Sequence, residues 1–224
     1  MLMNETQKLL LVLLISFEIA FTKSVYLNLI LIVMSLLILL ITGNFAKNFA
    51  RLLIVSILPA IGSFTSFYFF GTGNKEQRVH FALVMTTRVG VYIFLGAAFI
   101  STMVLYKLLR SLEQNVKMSA TFVYGILGAF SFIPKIIHAV KTIRAVGMMR
   151  GEVLHFWSPK LYFKAITQSL IWSNNLAMAM TSHGFEEGEK RSYYERFPAK
   201  FGGWMIILIV MLFIQYCVFI LRLW

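Results

Sequence analysis

The sequence predicts an all-α, polytopic membrane protein, and three observations carry that prediction. Apolar residues make up 59% of the 224 positions and charged residues only 13%, with a mean hydropathy of +0.78. A soluble domain has about a quarter charged residues, so this chain lacks the polar side chains to cover a water-facing surface. Apolar runs near the length needed to cross a bilayer, about 20 residues, recur along the chain. The net charge of +12 is gathered largely into one segment rather than spread evenly. Several function classes fall away at once. The chain has no Asp, and all nine acidic residues are Glu, which argues against membrane enzymes built on paired Asp metal sites. The single Cys217 excludes an internal disulfide framework and a multi-Cys metal site.

About five transmembrane helices are expected. The first runs over 8–21, is short, contains Glu18 and is followed by Lys23. It is not the hydrophobic part of a signal peptide, because Phe21-Thr22-Lys23 offers no small-residue cleavage site. The second, 25–42, is an uninterrupted Leu- and Ile-rich run, so residues 23–24 form a tight turn. The third covers about 52–70 and carries Pro59 and Gly62; the fourth covers about 79–106. The last, 204–221, is flanked by Trp204, Arg222 and Trp224, the aromatic belt of a membrane boundary.

The segment 107–200 differs. It holds 13 of the 21 Lys and Arg residues against six Glu, yet it also contains long apolar helical pattern. An excess of Lys and Arg marks the cytoplasmic side, which places this segment in the cytoplasm. Four preceding spans then put the N-terminus inside as well and the C-terminus outside. The loop with Lys47 and Arg51 falls inside; the loop with Lys75 and Arg78 falls outside, against the rule. The localisation expected is a cell membrane, multi-pass.

Within that segment, 119–149 reads as helix interrupted at Pro134, since proline lacks the N–H and tends to kink or stop a helix. Ala120 to Ile133 is apolar all round, with Thr121, Gly125 and Ala129 four apart. Beyond the proline, Ile136, Ile137, Val140 and Ile143 line one face while Lys135, Lys141 and Arg144 lie off it. Gly151 suits a left-handed C-cap. A second helix follows Pro159 over about 160–182. It carries a small-residue stripe, Ser169, Ser173, Ala177 and Thr181, and such spacing allows close approach of another helix. The two helices are expected to cross through these faces. The second ends at Gly184, and the charged stretch 186–200 reads as an exposed connector. Both helices thus end in a basic or titratable residue followed by glycine: Met149-Arg150-Gly151 and Ser182-His183-Gly184. Taken singly, each complements the negative end of a helix dipole. As a repeated pair they suggest two docking tips for other proteins.

At these residues the chain resembles the transmembrane T component of energy-coupling factor (ECF) transporters, the EcfT/CbiQ/YkoC family. That family shows a Phe-Ile-Pro segment and a helix ending Ala-Arg-Gly. A second helix then ends Ala-Met-x-Ala-Arg-Gly-Phe and is followed by Arg-Thr-x-Tyr-like residues. The corresponding residues are Phe132-Ile133-Pro134, Ile143-Arg144, Met149-Arg150-Gly151, then Ala179 through Phe185, then Arg191-Ser192-Tyr193. Order and spacing agree over about 100–195, while the N-terminal spans match only in hydropathy. Met149 and Ser182 replace Ala, His183 replaces Arg, and Ser131 stands where the family usually has Arg.

The resemblance implies three regions: N-terminal transmembrane helices over 1–106, a cytoplasmic-side coupling region over 107–200 and a C-terminal transmembrane helix over 201–224. It implies a non-catalytic subunit of an ATP-driven importer. Its partners would be two ABC-type ATPase subunits, a membrane-embedded S component that binds a vitamin, vitamin precursor or metal ion, and the lipid bilayer. No nucleic acid and no cofactor are expected. The ATPases would hold the tips formed by Met149, Arg150, Gly151, Ser182, His183 and Gly184.

Other readings are weaker. A self-contained secondary transporter or channel needs ionisable residues within spans, and only Glu18 and Arg88 qualify, with a stabilising pair between them the simpler account. A membrane enzyme would draw on His80, His138, His155, His183, Cys217 or scattered Glu, but none shows a metal or catalytic spacing. No Walker-type loop is present, so ATP hydrolysis belongs to another chain. A membrane scaffold accounts for the basic cluster through anionic lipids, but not for the ordered motifs.

Overall fold

The computed structural model describes residues 3–42, 45–155, 157–189 and 192–222, with the side chains of 45–49, 221 and 222 left undescribed. Trp224, Lys190 and Arg191, and the side chains of Lys47 and Arg222, lie outside the described residues. Among those described the chain is all-helical, with no strand. The eight helices are α1 (Glu5–Phe21), α2 (Val25–Ile41), α3 (Phe45–Phe70), α4 (Lys75–Thr102), α5 (Leu105–Val116), α6 (Ala120–Met149), α7 (Pro159–Ser182) and α8 (Phe201–Arg222).

Four of these are long and apolar enough to cross a membrane: Ala50–Phe70, Lys75–Thr102, Ala120–Met149 and Phe201–Ile220. α1 and α2 have 17 residues each, about 25 Å of helix against a hydrocarbon core of about 30 Å. α6, assigned from its charge context to the cytoplasmic side, meets the same length and composition criterion as the spans.

The chain divides into two compact units, Met1–Ser111 with Phe197–Trp224, and Leu112–Arg196. In the first, α2 and α3 pack against α4, and α1 against α4 and α8. Ile15, Ile19, Leu27, Val91, Leu95 and Ile214 form one buried cluster and Leu39, Phe94 and Ala98 a second. The α2–α4 contact also holds a buried polar link. The Asn28 Nδ2 donates to the Val84 carbonyl at 3.3 Å and to the Thr87 hydroxyl at 3.0 Å, satisfying donors that would be costly to leave bare among apolar helices, while its Oδ1 is buried without a partner among the described residues. Outside these contacts large side chains such as Tyr26, Ile54, Leu58 and Phe70 are exposed. An exposed apolar surface of this extent needs lipid or protein to cover it.

Helix starts shift by a few residues from the sequence expectation at α1, α4 and α8, and three differences are larger. α4 does not run on to residue 106: Met103 is extended at φ −107°, ψ 143°. Ahead of that break the Ser101 and Thr102 hydroxyls turn back to the Ala98 carbonyl at 2.8 and 3.1 Å. Such bonds compete with the helical ladder. The chain then begins the separate amphipathic α5. α3 starts seven residues earlier than expected and passes through Pro59. α6 likewise continues through Pro134, so the interruption expected there does not occur. The missing N–H deprives only the Phe130 carbonyl of its helical partner, and the helical bonds on either side hold.

α1 begins where the sequence chemistry directs. Asn4 caps it, accepting from the Glu5 amide at 2.7 Å, while the Gln7 side-chain oxygen accepts from the Asn4 amide at 3.0 Å. This is a capping box, which satisfies donors that the first helical turn leaves open.

Candidate functional site

The second unit is built on α6 and α7. Their contacts run in opposite directions along the two helices. Tyr124 meets Phe185 edge-on with ring centroids 5.7 Å apart, and Phe132 meets Trp172 at 6.2 Å. Between them Gly128 lies so close to Leu176 that an added Cβ would sit 2.9 Å from its side chain. Numbers rise on α6 as they fall on α7, so the pair is antiparallel. The two helix C-termini therefore lie at opposite ends of the hairpin, separated by the length of α7, roughly 35 Å for its 24 residues.

Both C-termini close in the same way. Gly151 has φ +76° and Gly184 φ +77°, the left-handed region that glycine enters without a Cβ penalty. At the first, the Glu152 amide donates to the Gly147 carbonyl at 2.9 Å and the Gly151 amide to Met148 at 3.1 Å. At the second, Phe185 donates to Met180 at 2.9 Å and Gly184 to Thr181 at 3.0 Å. Each set is a complete Schellman motif, which satisfies carbonyls that a helix end leaves open. Arg150 and His183 occupy the last position before each left-handed glycine. They are exposed, as are Met149, Gly151, Ser182 and Gly184.

Each tip is braced from behind. After the first, the chain folds back onto α6. Leu154 is buried and lies against Gly147, where a Cβ would meet it at 2.9 Å. Arg144 donates through Nε to the Leu154 carbonyl at 3.1 Å. The exposed Lys160–Glu152 pair at 3.4 Å adds little, as exposed pairs do. After the second tip, Phe185 turns back onto Tyr124. A cavity of about 630 Å³ opens beside it, lined by His183, Glu186 and Glu189 along with Ser131, Gly128 and Leu176. Gln114 donates to the Glu195 carbonyl at 2.9 Å, tying the returning connector to the start of the unit.

The small-residue stripe of α7 does not carry the contact with α6. Ser173, Ala177 and Thr181 are exposed and Ser169 is half-buried; the half-buried series facing α6 includes Trp172 and Leu176, one step round the helix. The hydroxyls of Ser169 and Thr181 bond back to the Ala165 and Ala177 carbonyls at 2.8 and 3.2 Å, making no bond across the pair. The close approach on α6 is at Gly128, not within the stripe of Thr121, Gly125 and Ala129; a Cβ at Gly125 would meet nothing within 4 Å.

The competing candidates are dispersed. Arg88 does not pair with Glu18. Its Nη2 donates to the Thr22 carbonyl at 2.6 Å, completing the C-terminal end of α1. His80 and His155 are exposed, and His138 lines a shallow groove of about 520 Å³ with Lys135 and Trp172. Among the described residues no group of three His, Cys, Asp or Glu side chains could hold a metal ion.

A polar hub absent from the sequence reading joins α1, α5 and the start of α8. Ser111 donates to the Asn4 side-chain oxygen at 2.8 Å and contacts the Thr6 hydroxyl; Asn4 Nδ2 donates to the Phe197 carbonyl at 2.6 Å. Gln7 Nε2 donates to the Lys200 carbonyl at 2.8 Å, and Lys8 reaches both Glu5 and the Thr102 carbonyl. The signals for it were the Asn4–Gln7 spacing and the Gly202-Gly203 pair. Compared with known proteins, the chain matches no protein-family model and no curated protein.

Proposed function

We propose that this chain is the transmembrane coupling subunit of an ECF-type ABC importer. In that role it links ATP hydrolysis by two ATPase subunits to movement of a membrane-embedded, substrate-binding S component. The observation that supports this best is the duplicated helix tip. Two Schellman-capped termini, each with an exposed basic or titratable residue before a left-handed glycine, stand at opposite ends of one antiparallel hairpin. A coupling subunit must engage two ATPases at once, and one rigid hairpin with a docking end at each extremity suits that task. Arg150 can hold a carboxylate with its planar fork. His183 offers fewer donors. The exposed apolar residues of α6 and α7, such as Phe122, Ile133, Phe163 and Ile166, would rest on lipid or on the S component. The expected localisation is a prokaryotic plasma membrane.

The test is co-purification of nucleotide-binding subunits in gentle detergent, together with uptake into reconstituted vesicles. Loss of the ATPases in Arg150→Glu, with normal membrane insertion, supports the reading. Wild-type coupling in that variant overturns it.

A further inference from the structure

Charge divides the α6–α7 hairpin into two halves. Residues 120–134 and 165–182 contain no charged residue, whereas 135–164 holds six Lys or Arg against Glu152 alone. Because the helices are antiparallel, the uncharged segments lie side by side. Where they give way to the basic half, a groove of about 520 Å³ opens between the helices. Pro134, Lys135, His138 and Thr142 of α6 and Gln168 and Trp172 of α7 line it. Among the described residues no carboxylate does, and Glu152 pairs with Lys160 instead. The donors are open. The exposed Lys135 ammonium stands 5.4 Å over the Phe132 ring, which itself meets Trp172. The His138 ring and the Gln168 side-chain amide make no hydrogen bond among the described residues. Lys164, also exposed, lies one turn from Gln168 along α7. On the uncharged side of the groove, Phe130 and Ile133 of α6 and Leu170 and Ile171 of α7 are exposed.

We propose that this groove holds the headgroup phosphate of an anionic phospholipid, whose acyl chains lie along the uncharged half of the hairpin. Charge complementarity selects the headgroup. Lys135, His138 and Gln168 supply donors, and a phosphodiester supplies charged acceptors, a combination that gives strong hydrogen bonds. With no carboxylate in the groove, nothing answers the choline of a zwitterionic headgroup, so an anionic one is preferred. The apolar neighbours select a lipid over a soluble phosphate ester. A soluble ester would meet the same donors and leave Phe130, Ile133, Leu170 and Ile171 uncovered. Trp172 sits where an apolar surface gives way to a wet one, the setting that favours indole at a membrane boundary, and Lys and Arg at that level attract anionic lipids. None of these residues belongs to either helix tip, so the site stands whether or not the tips hold ATPases.

The full-length protein in detergent micelles is titrated with phosphatidylglycerol brominated on its acyl chains near the headgroup, which quenches nearby indoles. Brominated phosphatidylcholine is the reference. Phosphatidylglycerol is expected to bind more tightly by about fivefold or more, the scale of one basic side chain at an anionic surface. Trp172→Phe should remove the quenching that saturates with this preference. Lys135→Gln should abolish most of the preference and Lys135→Arg should restore it. Gln168→Leu, which alters no charge, should reduce it, while Lys75→Gln, which removes an exposed charge from the other unit, should leave it as it is. Equal affinity for the two lipids overturns the proposal, as does a preference that Lys135→Gln and Gln168→Leu leave unchanged or that Trp172 does not report. A preference lowered as much by Lys75→Gln as by Lys135→Gln shows diffuse attraction rather than a site, and also overturns it. Displacement of the brominated lipid by an equal concentration of glycerol 3-phosphate assigns the groove to a soluble phosphate ester and overturns the lipid assignment.

Discussion

Ser111 donates its hydroxyl proton to the Asn4 side-chain oxygen at 2.8 Å, across 107 positions of sequence. Asn4 also donates to the Phe197 carbonyl. Ser111 is the last residue of the first unit before the chain leaves it, and Phe197 is the first on its return. One N-capping side chain therefore anchors both strands of the excursion that carries α6 and α7. An N-cap exchanged for Ala costs about 0.5–2 kcal/mol, and here two further bonds go with it. Asn4→Ala is expected to lower the apparent melting temperature in detergent by several degrees. Asn4→Asp, which keeps the cap but loses the donor to Phe197, should have a smaller effect.

The same hub explains Gly203. A Cβ there would lie 2.1 Å from the Gln7 side-chain oxygen, and Gln7 is 2% exposed with both ends of its amide bonded. Gly203→Ala should force Gln7 out of those bonds and cost about 1–3 kcal/mol, the usual range for overpacking. The double variant with Gln7→Ala should lose less than the sum of the two single changes. Additive losses, read by thermal unfolding, would show that the two residues do not compete for one space.

Gly128 and Leu176 define the tightest contact of the hairpin. Gly128→Val should separate α6 from α7, with a loss of about 1–3 kcal/mol, and Leu176→Ala on the same chain should recover part of it. Ser173→Leu and Ala177→Leu point away from α6 and should leave the hairpin intact. If these two instead reduce assembly with partner subunits, the exposed stripe is a docking face rather than an internal one. Protection of α6 and α7 amides in hydrogen exchange separates the two outcomes.

The two left-handed glycines allow a purely conformational test. A Cβ at Gly151 or Gly184 would meet nothing within 4 Å, so any cost of Ala comes from its backbone, about 1–2 kcal/mol. Gly151→Ala and Gly184→Ala should each fray the last helical turn without altering the surface charge. Reduced ATPase co-purification in these variants would show that the shape of the tip matters in addition to its basic residue.

The tips themselves are expected to be unequal. Arg150→Glu should abolish ATPase co-purification, and Arg150→Ala should weaken it by about thirtyfold or more, the scale of losing one side of a charge pair. His183→Ala should cost less, because a neutral imidazole has one donor. His183→Arg should preserve or tighten binding. Retained binding with lost uptake in Arg150→Ala would place that residue in force transmission.

Much of this architecture follows from the sequence alone, for physical reasons that operate within one or two helical turns. A run of apolar residues specifies a helix that must leave water. Glycine after an amphipathic run specifies a left-handed stop, and Gly151 and Gly184 take that conformation. The repeated basic residue before each stop was legible for the same reason. What the tertiary structure decided was phase and partner. From Ala120 to Ile133 α6 is apolar on every side, so periodicity cannot say which face meets α7 there; the fit of Leu176 against Gly128 decides it, one step away from the small-residue stripe. Pro134 looked like a break, but the loss of one carbonyl's partner did not outweigh the bonds on either side, and α6 continues past it. Arg88 looked like the mate of Glu18, yet only the folded chain brings the Thr22 carbonyl within its reach. Charge and pattern are local and can be read in one dimension; which donor finds which acceptor across a hundred residues is settled only when the helices pack.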